Sequence, residues 1–143
     1  MRRKPSVVAV VQARMGSSRL PNKVLEPILD RPMLQHVVER VRQAQTVEQV
    51  VVATTDRPAD DAIETFCRAR CIDVFRGSEE DVLDRFYRAS SAFHADVVVR
   101  ITADCPLIDP AVLDRVVRRM LDGNVDYVRS EEHTSELQSQ NAI

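Results

Sequence analysis

Residues 7–23 read VVAVVQARMGSSRLPNK, and this stretch decides the fold. Val7 to Val11 form a continuous apolar run rich in β-branched residues, the pattern of a strand buried on both faces. Val50-Val51-Val52-Ala53 repeats it, and so does Val97-Val98-Val99-Arg100-Ile101. Ile72-Asp73-Val74-Phe75 is a shorter version, and Asp126-Tyr127-Val128 opens a candidate fifth strand. Helical patterns lie between these runs. Met33, Val37, Val38 and Val41 share one face behind Pro32, and Asp56-Arg57-Pro58 opens a helix carrying Ile63, Phe66 and Cys67. Ser78-Glu79-Glu80-Asp81 caps a third, with Val82, Leu83, Phe86 and Tyr87 behind it. Asp109-Pro110 starts a fourth, with Val112, Leu113, Val116, Val117 and Met120 on its core side. Asp122-Gly123-Asn124 ends it. Strand and helix alternate four times, which predicts a Rossmann-like α/β sandwich with a mostly parallel sheet. The sheet is expected to stop after the fourth or fifth strand, as part of a larger one.

Composition narrows the function classes. A chain of 143 residues suits one domain with a real core. Twenty Lys and Arg against 22 Asp and Glu leave a net charge of −2, with no electrostatic footprint for nucleic acid. No apolar run approaches the twenty or so residues of a membrane span. The basic start, Met1 to Lys4, leads into an apolar run too short for a signal peptide, and Gln12 and Arg14 close it. Cys67, Cys71 and Cys105 match neither a zinc pattern nor a disulfide framework, so a reduced, cytoplasmic setting is expected.

Residues 129–143, RSEEHTSELQSQNAI, differ from the rest. They have no apolar period, and Arg129 against Glu131, Glu132 and Glu136 gives them the whole net charge of −2. The expected division is therefore residues 1–128 as the N-terminal part of one domain and 129–143 as a disordered or non-native tail. RSEEHTSELQSQ resembles, residue for residue, the translation of a common short-read sequencing adapter. On that reading the native sequence stops near Val128.

Two loops carry the chemistry. Behind the first strand, Arg14, Arg19 and Lys23 occur with no acid before Glu26. Gly16, Ser17 and Ser18 allow a tight turn that points N–H groups at an anion, and the three cations suit a triphosphate. The alternative is an ordinary solvated surface loop. Position favours the first, because open α/β sheets bind ligands at strand carboxyl ends. The loop is neither a Walker A motif nor a dinucleotide fingerprint, since Gly16 is its single glycine. Behind the Val97–Ile101 run comes Thr102-Ala103-Asp104-Cys105-Pro106. Asp109 reads as a helix cap, whereas Asp104 stands at a strand end, where a carboxylate can hold Mg²⁺ against phosphate oxygens. Cys105 reads as a small, partly buried residue rather than a nucleophile, with no histidine in either loop. His36 and His94 read as structural or surface residues.

VVAVVQARMGSSRLPNKVLEPILDRPMLQHVVERV resembles the opening of the cytidylyltransferase family that activates acidic sugars. That family includes 3-deoxy-manno-octulosonate and acylneuraminate cytidylyltransferases, and the likeness is greatest to the spore-coat polysaccharide biosynthesis protein F branch. VVVATTDRPADDAI, FRGSEEDVLDRFYRA and VVVRITADCPLIDP continue it in order, so that it covers residues 7–128. The resemblance implies a nucleotidyltransferase fold, truncated here, and transfer of CMP from CTP to an acidic sugar with release of pyrophosphate, for surface polysaccharide synthesis. It implies that Arg14 and Lys23 hold the β- and γ-phosphates, that Gln12, Ala13 and Ser17 border the nucleotide, and that Arg76 and Ser78 lie near the cytosine. Thr102 falls at the ribose, and Asp104 at the metal aspartate, with Mg²⁺ as cofactor. Arg14, Lys23 and Asp104 are then the catalytic set. Ala103 stands where relatives more often have Gly. A second metal aspartate, most of the sugar pocket and a dimerisation segment belong to a C-terminal half, so the full-length protein is expected to be a homodimer and this chain inactive alone. No nucleic-acid or membrane partner is implied. The alternatives are a nucleotide-binding fragment without turnover and a sugar-nucleotide-dependent glycosyltransferase. The latter typically shows an Asp-x-Asp pair, where this chain has Asp104-Cys105-Pro106.

Overall fold

Alternate side chains of the first strand, Val8 and Val10 against Ala9 and Val11, point to opposite faces, and all four are sealed from solvent. A strand buried on both sides needs neighbours on both edges and helices on both faces. The computed structural model, which describes residues 2–16 and 20–130, supplies them. Strand β1 (Val7–Gln12) is followed by a 3-10 turn (Lys23–Leu25) and a two-stranded antiparallel ribbon, β2 (Pro27–Ile28) and β3 (Arg31–Pro32). Then come α1 (Met33–Arg42), β4 (Gln49–Thr55), a 3-10 turn (Pro58–Asp60) and α2 (Asp61–Ala69). The chain continues through β5 (Asp73–Gly77), α3 (Val82–Ala92), β6 (Val97–Thr102) and α4 (Pro110–Asp122).

The main sheet has the order β5-β4-β1-β6, with every pair parallel. The chain steps outward from β1 to β4 and β5, then crosses back to lay β6 on the other side of β1. The topological switch point therefore lies between β1 and β6. Gln12 is in register with Ala53 on one side and Thr102 on the other.

Two apolar layers result. Under α1, α2 and α4, residues Ala9, Val11, Val52 and Ile101 pack against Leu34, Val37, Val41, Ile63 and Leu113. Under α3, Val8, Val10, Val51 and Ala53 pack against Phe86 and Ala89. Each large apolar side chain sealed in this way contributes about 1.5–3 kcal/mol. The capping residues act as their spacing predicts: Asp81 accepts from the Asp84 N–H and Asp109 from the Ala111 N–H, with Pro110 in the first turn of α4. Asp114, buried on α4, accepts from the Gln45 N–H at 3.0 Å, the Thr46 N–H at 2.9 Å and the Thr46 hydroxyl at 2.6 Å. Burial alone would raise its pKa, but these hydrogen bonds outweigh it and hold the carboxyl below its usual value.

Three expectations need correction. β6 is not buried on both faces: it is an edge strand, and its exposure alternates, with Val98 at 42 % and Arg100 also exposed. One helix, α3, serves that face and does not reach across it. Residues 126–128 form no strand. Cys105 is exposed rather than partly buried. Among the described residues no helix is long and apolar enough to cross a membrane. Ser17 and the tail beyond Ser130 lie outside the described residues.

Candidate functional site

At the carboxyl end of β1 the ladder runs one residue past the strand. The Ala13 N–H donates to the Ala53 carbonyl at 3.0 Å, and the Ala103 N–H to the Gln12 carbonyl at 2.9 Å. Ala13 and Ala103 are buried, so the two loops leave the sheet side by side from a fixed floor. The first loop is closed by the Asn22 N–H donating to the Met15 carbonyl at 3.0 Å, with Asn22 in the left-handed region at φ 63°. The 3-10 turn behind it carries Lys23, whose Nζ comes within 3.8 Å of Asp104 Oδ2. Asp104 is half exposed, in a turn closed by the Cys105 N–H donating to the Thr102 carbonyl at 3.3 Å. Arg14 is exposed on the first loop.

The structure thus brings Gln12, Ala13, Lys23, Thr102 and Asp104 to the β1/β6 switch point. Arg76 and Ser78 stand apart, at the end of β5. The Arg76 guanidinium donates to the Thr55 carbonyl at 2.9 Å and the Arg57 carbonyl at 2.7 Å, and pairs with Asp61 at 2.6 Å. It is thereby committed to the loop after β4. Ser78 Oγ accepts from the Asp81 N–H at 3.1 Å, which shapes the start of α3.

Two residues that sequence reasoning missed underlie these loops. Asp60 is 3 % exposed; its Oδ1 accepts from the Met15 N–H at 2.7 Å, and its Oδ2 from the Thr55 hydroxyl. Arg85 is 1 % exposed and donates from Nη1 to the Ser78 carbonyl at 2.5 Å, while its Nε has no partner among the described residues. Burial pulls its pKa down, and Arg14 adds to that, with Asp60 partly opposing. A buried cation thus strengthens the positive field around Arg14. The signal for Arg85 was present in the sequence: it occupies a core register of α3 between Val82 and Ala89. Nothing local distinguished Asp60 from its neighbour Asp61.

Asp104 offers hard oxygen ligands, which suit Mg²⁺ or Mn²⁺ when phosphate and water complete the shell. Among the described residues no three His, Cys, Asp or Glu side chains converge. Cys67 is no candidate nucleophile: burial pushes its thiol up to about 12.

Residues 8–142 match the family described as cytidylyltransferase. The chain belongs to the cytidylyltransferase family. It is 42 % identical to the spore coat polysaccharide biosynthesis protein SpsF of Bacillus subtilis (strain 168), over 85 % of this chain and 52 % of that protein. It superposes on a cytidylyltransferase from Leptospira borgpetersenii serovar Hardjo-bovis (strain JB197) with a TM-score of 0.80 at 39 % identity, covering 85 % of this chain and 51 % of that one. A second solved structure, CMP:2-keto-3-deoxy-manno-octonic acid synthetase complexed with CTP, gives a TM-score of 0.70 at 34 % identity, covering 82 % and 48 %. The expected Rossmann-like nucleotidyltransferase fold is that of these cytidylyltransferases. The chain spans about half the length of the curated relatives it matches.

Proposed function

We propose that the chain forms the CTP-binding part of a cytidylyltransferase that transfers CMP to an acidic sugar. The observation that carries this reading is the 3.8 Å approach of Lys23 Nζ to Asp104 Oδ2 at the switch point. A cation and a carboxylate at one exposed site suit a metal-bound polyphosphate: Lys23 would meet phosphate oxygens directly, and Asp104 would hold a divalent ion whose charge offsets theirs. The CTP in the synthetase relative supports the choice of nucleotide.

In this reading Arg14, Lys23 and the Ser17 region receive the β- and γ-phosphates, while Gln12, Ala13 and Thr102 line the floor under the α-phosphate and ribose. Arg76 and Ser78 lie two strand spacings from β1, about 10 Å, a distance a nucleotide spans from phosphates to base. A sugar hydroxyl attacks the α-phosphorus, the bond to the oxygen bridging the β-phosphorus breaks, and pyrophosphate leaves with the hydroxyl proton released to solvent. Arg14 and Lys23 neutralise the charge that builds on the leaving pyrophosphate. Asp104 would hold Mg²⁺, which supplies Lewis-acid stabilisation of the phosphate oxygens. The acidic sugar, surface polysaccharide synthesis, a homodimer and a cytoplasmic setting complete the proposal for the whole protein.

A second reading, nucleotide binding without turnover, is favoured by one observation: among the described residues no group of three His, Cys, Asp or Glu side chains gathers around Asp104 to hold a metal ion. Pyrophosphate release from CTP by the full-length protein, assayed with eight- and nine-carbon acidic sugars, separates the two. The transferase reading expects release, and expects Asp104→Ala to lower kcat by about a hundredfold or more. Tight CTP binding with no release under any sugar favours the second reading, and an undiminished Asp104→Ala enzyme removes the metal assignment.

A further inference from the structure

Asp60 occupies the N-cap position of α2, where a carboxylate ordinarily accepts from the helix's own first N–H groups, yet it makes no such cap. It turns instead across the sheet end. Its two oxygens accept from the Met15 N–H, one residue beyond Arg14, and from the hydroxyl of Thr55 at the end of β4. Thr55 is itself held, its Oγ1 accepting from the Arg57 N–H at 3.3 Å and its carbonyl from Arg76 Nε at 2.9 Å. The loop behind β1 is therefore tied, through one buried carboxylate, to the rigid end of the neighbouring strand. The tie lies immediately next to the cation expected to meet phosphate.

We infer that Asp60 is a positioning residue for nucleotide binding: by holding the Met15 N–H it fixes the backbone next to Arg14. The inference rests on the nucleotide reading above. Without the tie, the segment following Ala13 loses the Met15 hydrogen bond to the turn before α2, and more of its ordering falls to the ligand.

CTP titrations in the presence of Mg²⁺, with melting temperatures recorded for each variant, test it. Asp60→Ala is expected to weaken CTP about tenfold or more, the scale of one charge-assisted hydrogen bond. Asp60→Asn keeps a carbonyl for Met15 and turns its NH₂ to the Thr55 oxygen, so CTP affinity is expected within about threefold of the parent. Thr55→Val removes the far end of the tie but leaves the Met15 N–H held; its melting temperature should fall, while its CTP affinity should drop by less than that of Asp60→Ala. Should Asp60→Ala not fold, Asp60→Ser, too short to bridge both loops, takes its place with the same expectation. Unchanged CTP affinity in Asp60→Ala, or equal losses in Asp60→Ala and Thr55→Val, overturns the inference while leaving the nucleotide reading intact. A parent chain that binds no CTP fails at the nucleotide reading itself, and the inference falls with it.

Discussion

Single residues in this chain do work that their type does not announce. Asp114 is an acid on the core side of α4, and its three hydrogen bonds tie that helix to the turn after α1. Asp114→Ala is expected to lower stability by about 1–2 kcal/mol, because it removes three hydrogen bonds at a part-buried helix junction. Its carboxyl titrates below the usual value when folded, so the stabilisation is fully present above the unfolded carboxylate pKa of about 4. It disappears as pH falls through the folded value. The stability difference between the parent and Asp114→Asn, followed by urea melts from neutral pH downward, should therefore shrink in acid. The cysteines give a second check. With its thiol pushed up to about 12 and its side chain sealed, Cys67 should resist a thiol reagent at about pH 8 until the chain unfolds, while exposed Cys71 and Cys105 react at once. Because Cys105 Sγ lies 3.8 Å from Asp104 Oδ1, Mg²⁺ and CTP together should slow labelling at Cys105 and not at Cys71.

At the scale of elements, what could be read in advance was whatever burial imposes through periodicity. The runs at 7–11 and 50–53 are strands sealed on both faces because they are the two central strands of the sheet. The run at 97–101 looks identical in sequence but forms an edge, since a run of valines records β-propensity and not the number of neighbours. The difference is measurable. Val10→Ala, in a fully buried position, should lower stability by about 2 kcal/mol, whereas Val98→Thr should change it by less than about 0.5 kcal/mol. The two-residue ribbon β2/β3 escaped notice because so short a pairing leaves no period to read. Gly77 carries a further constraint: a Cβ there would meet Arg85 Cγ at 3.1 Å and Phe75 Cε1 at 3.2 Å. Gly77→Ala should lower the denaturation midpoint, with a loss of about 1 kcal/mol or more.

For the whole molecule, the strand order places the candidate site more firmly than any single motif does. The loops behind β1 and β6 begin at Ala13 and Ala103, 90 residues apart in the chain, yet they leave the sheet as neighbours because β6 returns to the far side of β1. Lys23 and Asp104 were legible in sequence as strand-end residues, and their approach to 3.8 Å required only that these two strands pair. The buried supports, Asp60 and Arg85, were not legible, because their roles depend on hydrogen bonds between segments that local sequence does not connect. The central claim is that the β1/β6 crevice binds CTP through Lys23 and Asp104. The most direct test is a calorimetric titration of CTP with Mg²⁺ into the parent chain, Lys23→Ala and Asp104→Ala, with ATP as competitor. The account predicts saturable CTP binding that ATP matches poorly, weakened about tenfold or more in each variant. Equal affinity for ATP and CTP, or CTP binding untouched by both substitutions, would contradict it.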